Sequence, residues 1–268
     1  MSGTRTPTKA MLYTKELQWN AFVSGIDLQR TSCNLLGKVP DLLPIARKQL
    51  LSYISEYRKN GAGSQAVIDS LLLAHEGYCL KQPAGTVYTK AKIQRHQILE
   101  LRIREGLYAS QIARKMNIRL NKADNSIADG VNELTKICIG WPGMTAAGGS
   151  RYEVMERILK EYPILSETGT VSIGGIFSDE ILEPVRYWRT VTIELIRILD
   201  QAIDLYGKYA ASSDNPVEER RHAVLKASYI RDCRSREDLA MRFFVDPSAI
   251  NRDRIISIHR LKDLILTE

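Results

Sequence analysis

The sequence predicts a mainly α-helical protein built as two helical domains, residues 1–140 and 151–268, the second ending in a helix-turn-helix. Three observations predict it. Apolar residues recur at spacings of three and four over most of the chain, with few β-branched alternations. A run of four glycines and one proline, Gly140-Trp141-Pro142-Gly143-Met144-Thr145-Ala146-Ala147-Gly148-Gly149-Ser150, cannot sustain a helix and marks the boundary. Near the carboxyl end, two helix-start signals stand one short helix apart, a pattern that an ordinary helical hairpin does not require.

Residues 4–39 are weakly patterned, with Leu17, Trp19 and Phe22 expected to pack on the helices C-terminal to them. From Pro40 a helix is read through Leu43, Ala46, Leu50, Ile54 and Tyr57, ending at Asn60-Gly61-Ala62-Gly63. Ser64 is placed to cap the next helix, which carries Val67, Leu71, Leu72 and Ala74 and ends before Gly77. A third runs from Lys90 to Glu105, where Gly106 stops it. Ser110-Gln111-Ile112-Ala113 through Ile118 then repeats the C-terminal pattern, Ile112-Ala113 answering to Leu239-Ala240 and Ile118 to Val245. Nine residues separate Ile118 from Ile127, whereas five separate Val245 from Ile250, so a longer loop or an extended helix start is expected. Two readings stay open for residues 93–136: a second helix-turn-helix, or an unrelated three-helix arrangement. In the first, Arg114, Lys115, Arg119 and Lys122 are phosphate contacts, opposed by Asp124, Asp129 and Glu133, and Gly130 weakens the helix by about 1 kcal/mol relative to alanine.

After the linker, a helix from Arg151 to Tyr162 is expected to stop at Pro163. Residues 169–177, with Gly174-Gly175, read as a loop or short hairpin, but no strand leads in and no Gly-Lys-Ser comes after, so this is no phosphate cradle. From Pro184 to Tyr209, Trp188, Val191, Leu195, Ile198, Ala202, Leu205 and Tyr209 form an unbroken seam. Such a seam either pairs two copies of the chain, through Trp188, Val191, Leu195, Ile198 and Leu205, or packs inside its own domain.

The final unit carries the most information. Ser235 is placed to cap a short helix with Asp238 as reciprocal partner, and Asp246 to cap a longer one with Pro247 at its first position. Ala240 allows the two helices to cross closely. Leu225, Ile230, Leu239, Phe243, Val245, Ile250, Ile258 and Leu261 point inward by spacing. Ser248, Asn251 and Arg252 face outward on the second helix. Asn pairs with adenine and Arg with guanine through two hydrogen bonds each, so these residue types read base edges. Arg234, Arg236 and Arg242 flank them as phosphate contacts. The competing account makes the arginines a solvated face paired with Glu237, Asp238 and Asp253.

Charge agrees with a polyanionic partner. The net charge is +7, and residues 1–140 hold 20 basic against 11 acidic side chains, residues 141–219 hold 7 against 13, and residues 220–268 hold 11 against 7. Two basic ends flank an acidic middle. No apolar run long enough to span a bilayer and no secretion signal is read, so a cytoplasmic, nucleoid-associated protein with no membrane partner is expected. Cys33, Cys79, Cys138 and Cys233 lack the paired spacing of a zinc site, and reduced thiols are expected. His75, His96, His222 and His259 have no partner at ligand spacing, no catalytic motif stands out, and neither an enzyme nor a cofactor is expected.

The segment from Ser235 to Asp253 resembles the C-terminal helix-turn-helix of sigma region 4 and, more closely, of phage regulators of the RinA and ArpU type. In those families an amphipathic helix precedes the unit, as Arg186 to Tyr209 does here, and a Gly-then-Ser-Asp segment like Gly174 to Asp179 precedes that helix. The likeness covers residues 151–268. Arg254 departs from it, standing where relatives place an apolar residue, and residues 1–140 have no counterpart. The resemblance implies a sequence-specific double-stranded DNA-binding transcriptional regulator of phage or mobile-element genes. Its alternatives are a sigma-like factor that binds RNA polymerase, and an oligomeric DNA-packaging adaptor resembling a small terminase subunit.

Overall fold

The computed structural model describes residues 42–60, 64–81, 87–140, 151–231 and 233–265. Ten α-helices hold most of them: α1 Leu42–Asn60, α2 Gln65–Leu80, α3 Val87–Ile103, α4 Ala109–Lys115, α5 Leu120–Ile139, α6 Arg151–Leu165, α7 Asp179–Ser212, α8 Pro216–Leu225, α9 Arg236–Phe243 and α10 Pro247–Ile265. The protein is mainly α, and no strand occurs among the described residues. Leu17, Trp19, Phe22, Cys33 and the linker after Gly140 lie outside them.

Helix α5 is the pivot of the first half, packing against α1, α3 and α4 and reaching α6 and α7. Two glycines make this packing close. A Cβ on Gly130 would stand 2.4 Å from Leu99 Cδ1, so α3 and α5 touch backbone to side chain where the sequence alone reads only a weakened helix. At the end of α5, Gly140 takes φ 71°, and a Cβ there would meet Thr192 Oγ1 at 2.4 Å. Thus α5 stops directly against α7.

Several boundaries differ from the sequence reading. Helix α2 runs past Gly77 to Leu80, and Ser64 heads it with its backbone carbonyl, making no side-chain cap bond. Helix α6 continues through Pro163 to Leu165. Proline removes one intrahelical bond, but burial of Tyr162, Ile164 and Leu165 holds the last turn. Residues 168–170 form a 3-10 turn and residues 171–178 a loop, not a hairpin.

The 34-residue α7 contains the seam. Trp188, Leu195 and Ala202 are buried in the chain's own core, Val191 and Ile198 are half-buried, and Leu205 and Tyr209 stay exposed. Most of the seam is therefore occupied within the chain. One continuous apolar core contains residues from Leu42 of α1 to Ile265 of α10, and crosses the glycine-rich boundary without a break. Two small satellite clusters stand apart from it, one at α4–α5 and one at α9–α10.

No helix among the described residues is long and apolar enough to cross a membrane.

Candidate nucleic-acid interface

The α9–α10 unit forms because each start is capped. Ser235 Oγ accepts from the Asp238 N–H at 3.1 Å, and Asp246 Oδ1 from the Ser248 N–H at 2.7 Å, with Pro247 opening α10. Hydrogen bonds from the Ser248 hydroxyl and N–H hold the Asp246 carboxyl below its ordinary range. Between the helices Phe244 takes the left-handed conformation, φ 53°, and Val245 donates back to the Ala240 carbonyl at 3.1 Å. Leu239, Ala240 and Ile250 are buried with Val224 and Ala227 of the preceding segment, flanked by Phe243 and Val245. The expected inward pair Leu225 and Ile230 serves the main core instead. A π-helical turn, Lys226–Ile230, continues α8 and shifts Ile230 from the α-helical register that the spacing assumes.

Ser248, Asn251 and Arg252 are all exposed on α10. Behind them the helix is locked. Asp253 is 2 % exposed and takes hydrogen bonds from Arg220 Nε at 2.7 Å and Arg221 Nε at 3.3 Å. Arg221 also reaches buried Glu218 at 2.6 Å, which accepts from Tyr206 Oη at 3.1 Å. Asp253 thus pairs with α8, not with the outward arginines. Of those, Arg236 is exposed and pairs with exposed Glu237 at 2.9 Å, a contact worth little in water, whereas Arg242 lies over the Phe243 ring and Arg234 is half-buried. Arg254, the residue that departs from the resemblance, lies over the Tyr229 ring and donates to its hydroxyl at 2.6 Å.

The α4–α5 unit has the same register, without the insertion that the sequence spacing implied. Asn117 is left-handed at φ 51°, Ile118 donates to the Ala113 carbonyl at 2.9 Å, and Ala123, fully buried, occupies the place of Ile250. The spacing hides the correspondence because a short alanine takes the place of Ile250, while Ile127 packs on the same cluster one turn further on. It places Asn121, Asp124 and Asn125, all exposed, where α10 carries Ser248, Asn251 and Arg252. Asn121 and Asn125 escaped the sequence reading. Arg114, Arg119 and Lys122 are exposed, while Lys115 is held by Glu105 at 2.6 Å. Of the three acids expected to repel phosphate, only Asp124 stands clear of α3: Arg95 binds Asp129 at 3.0 Å and also Glu133.

Glu133 belongs to a cluster that spacing did not reveal. His75 Nε2 lies 3.0 Å from its carboxylate, and the Nδ1 atoms of His75 and His96 are 3.2 Å apart with the rings stacked. Burial alone pushes the Glu133 carboxyl up, but the His75 hydrogen bond and Arg95 outweigh it and leave it below the ordinary range. Burial holds the His96 imidazole below its ordinary 6.5, with His75 adding to the effect. Among the described residues no His, Cys, Asp and Glu group has metal-holding geometry. Cys79, Cys138 and Cys233 are unbridged thiols. His259 is exposed and stacks on Tyr152.

No family model, no characterised protein and no solved structure matches this chain.

Proposed function

We propose that the protein is a sequence-specific double-stranded DNA-binding transcriptional regulator, with α9–α10 as a helix-turn-helix and α10 as its recognition helix. The resemblance assigns its targets to phage or mobile-element genes. One observation carries the reading: Ser248, Asn251 and Arg252 point to solvent from a helix whose rear face is fixed by the Asp253–Arg220–Arg221 network. Side chains that read base edges must be presented without rotation of the helix beneath them, and a buried, doubly bonded carboxylate supplies that restraint. Arg236 and Arg242, exposed on the neighbouring helix, supply phosphate contacts.

Selection from random duplexes should enrich one defined site. Arg252→Ala should relax preference at one base pair by about 1–3 kcal/mol, measured by fluorescence anisotropy on matched and mismatched duplexes. Equal affinity for every duplex at physiological salt would sink the proposal.

A second reading, a sigma-like factor that contacts RNA polymerase, is favoured by the apolar turn. Phe244 is 95 % exposed and Met241 69 %, beside Pro247, although a left-handed backbone suits Asn or Gly far better than Phe. Phe244→Asn, which copies Asn117 of the other unit, should leave duplex affinity intact and abolish polymerase copurification. Copurification that survives the change removes this patch from the contact.

A further inference from the structure

A cavity of about 580 Å³ opens between the two halves of the chain, within the range that encloses a small organic ligand. Helices α2, α3 and α5 form one wall, α6 the floor, and the π-helical turn with Arg254 the other wall. Five basic side chains line it against three acidic ones. Three of the five are committed to carboxylates: Arg95 to Asp129 and Glu133, Lys136 to Glu161 at 3.3 Å, and Lys160 to Glu156 at 3.2 Å.

The other two, Lys92 and Arg254, share one arrangement on opposite walls. Lys92 Nζ lies 3.8 Å from the centroid of the Tyr78 ring and donates to its hydroxyl at 2.6 Å. The Arg254 guanidinium lies 5.1 Å from the Tyr229 centroid and donates to that hydroxyl at 2.6 Å, with a long ion pair to Glu156 at 3.9 Å, a carboxylate that Lys160 holds more closely at 3.2 Å. A cation resting on a neutral tyrosine keeps its full charge for another partner. Burial lowers the Lys92 ammonium from its ordinary value despite the attraction of Glu133, so the cavity exacts a cost that a bound anion would relieve. Two further lining residues keep a buried polar atom without a hydrogen bond, Arg95 Nε and Ser228 Oγ. Such orphans are rare in native cores, and a bound water or ion is one way to satisfy them.

We propose that this cavity binds a small organic anion, bearing phosphate or carboxylate groups, that bridges Lys92 of the N-terminal half and Arg254 of the C-terminal half. Charge-assisted bonds to two walls built from different halves make such a ligand a clamp between them. The site is independent of the duplex-reading surface: Ser248, Asn251 and Arg252 do not line the cavity, and anion binding is measured without DNA.

Thermal unfolding and isothermal titration of the full chain with pyrophosphate, and separately with citrate, against sodium chloride at matched ionic strength, decide the matter. At least one probe should bind saturably and raise Tm. Lys92→Met and Arg254→Met should each weaken that binding by roughly tenfold or more, the loss expected for one charge-assisted contact. Stronger binding of pyrophosphate marks a phosphate ligand, and of citrate a carboxylate one. Should either variant fail to fold, hydrogen exchange of the unaltered protein gives the answer: bound probe should protect α3 and residues 226–230 together. Neither probe binding beyond the chloride control, binding undiminished in both folded variants, or protection confined to one wall overturns the proposal. So does loss of duplex affinity in Lys92→Met with no anion binding, which would make the cavity a DNA phosphate contact.

Discussion

Asp253 comes directly after Arg252 in the chain but faces the opposite way, and the pair divides the labour of α10. Arg252 is outward and expendable to the fold, whereas Asp253 is sealed between Arg220 and Arg221. Asp253→Ala would leave Arg220 without its carboxylate and Arg221 with Glu218 alone. Breaking a buried pair by removing one member costs about 3–5 kcal/mol, and the partial exposure of both arginines places the expected loss at the low end, about 3 kcal/mol. Urea denaturation should register it, while Arg252→Ala should shift the midpoint little. Equal, small losses in both would show that the network does not fix the helix. The outward residues were legible because a cap and a proline set the start of α10 and the helical period then assigned each side chain a face. The inward ion network was not, since Arg220 and Asp253 meet only after α8 folds back, and no spacing within one helix encodes that.

At the level of elements, periodicity and caps located nearly every described helix, and the errors fell where packing overrides local preference. Pro163 should end α6 and does not, because three buried neighbours hold its last turn. The seam of α7 read equally as a pairing surface, and only the surrounding core shows that Trp188 and Leu195 are already covered. Gly130 is the sharpest instance. By propensity an alanine there should gain about 1 kcal/mol. Leu99, fully buried, stands 2.4 Å from where the new methyl would lie, so Gly130→Ala should instead destabilise by about 1–3 kcal/mol through overpacking. A rise in the urea midpoint would mean that α3 and α5 separate more readily than their contact implies.

For the molecule as a whole, stability should fall as the pH drops below neutral. Burial lowers the imidazoles of His96 and His222, and the Glu133 carboxyl also sits below its ordinary range. Each group then binds protons more readily unfolded than folded, so the share owed to the two imidazoles is complete above their ordinary value of 6.5 and drains away as pH falls below it, and the share owed to Glu133 is lost only below 4.5. Tm should decline between about pH 7 and pH 5, and His96→Gln should flatten part of that slope. A flat profile across this interval would contradict the burial assigned to both rings. The continuous core also takes in α5 and α10 and so sets both units on one frame, although their outward faces carry different residues, Asn121, Asp124 and Asn125 against Ser248, Asn251 and Arg252. Two unlike heads on a single frame have no twofold axis between them. A duplex gripped by both at once would therefore be held in one orientation only, giving the complex an upstream and a downstream end that a symmetric homodimer could never confer.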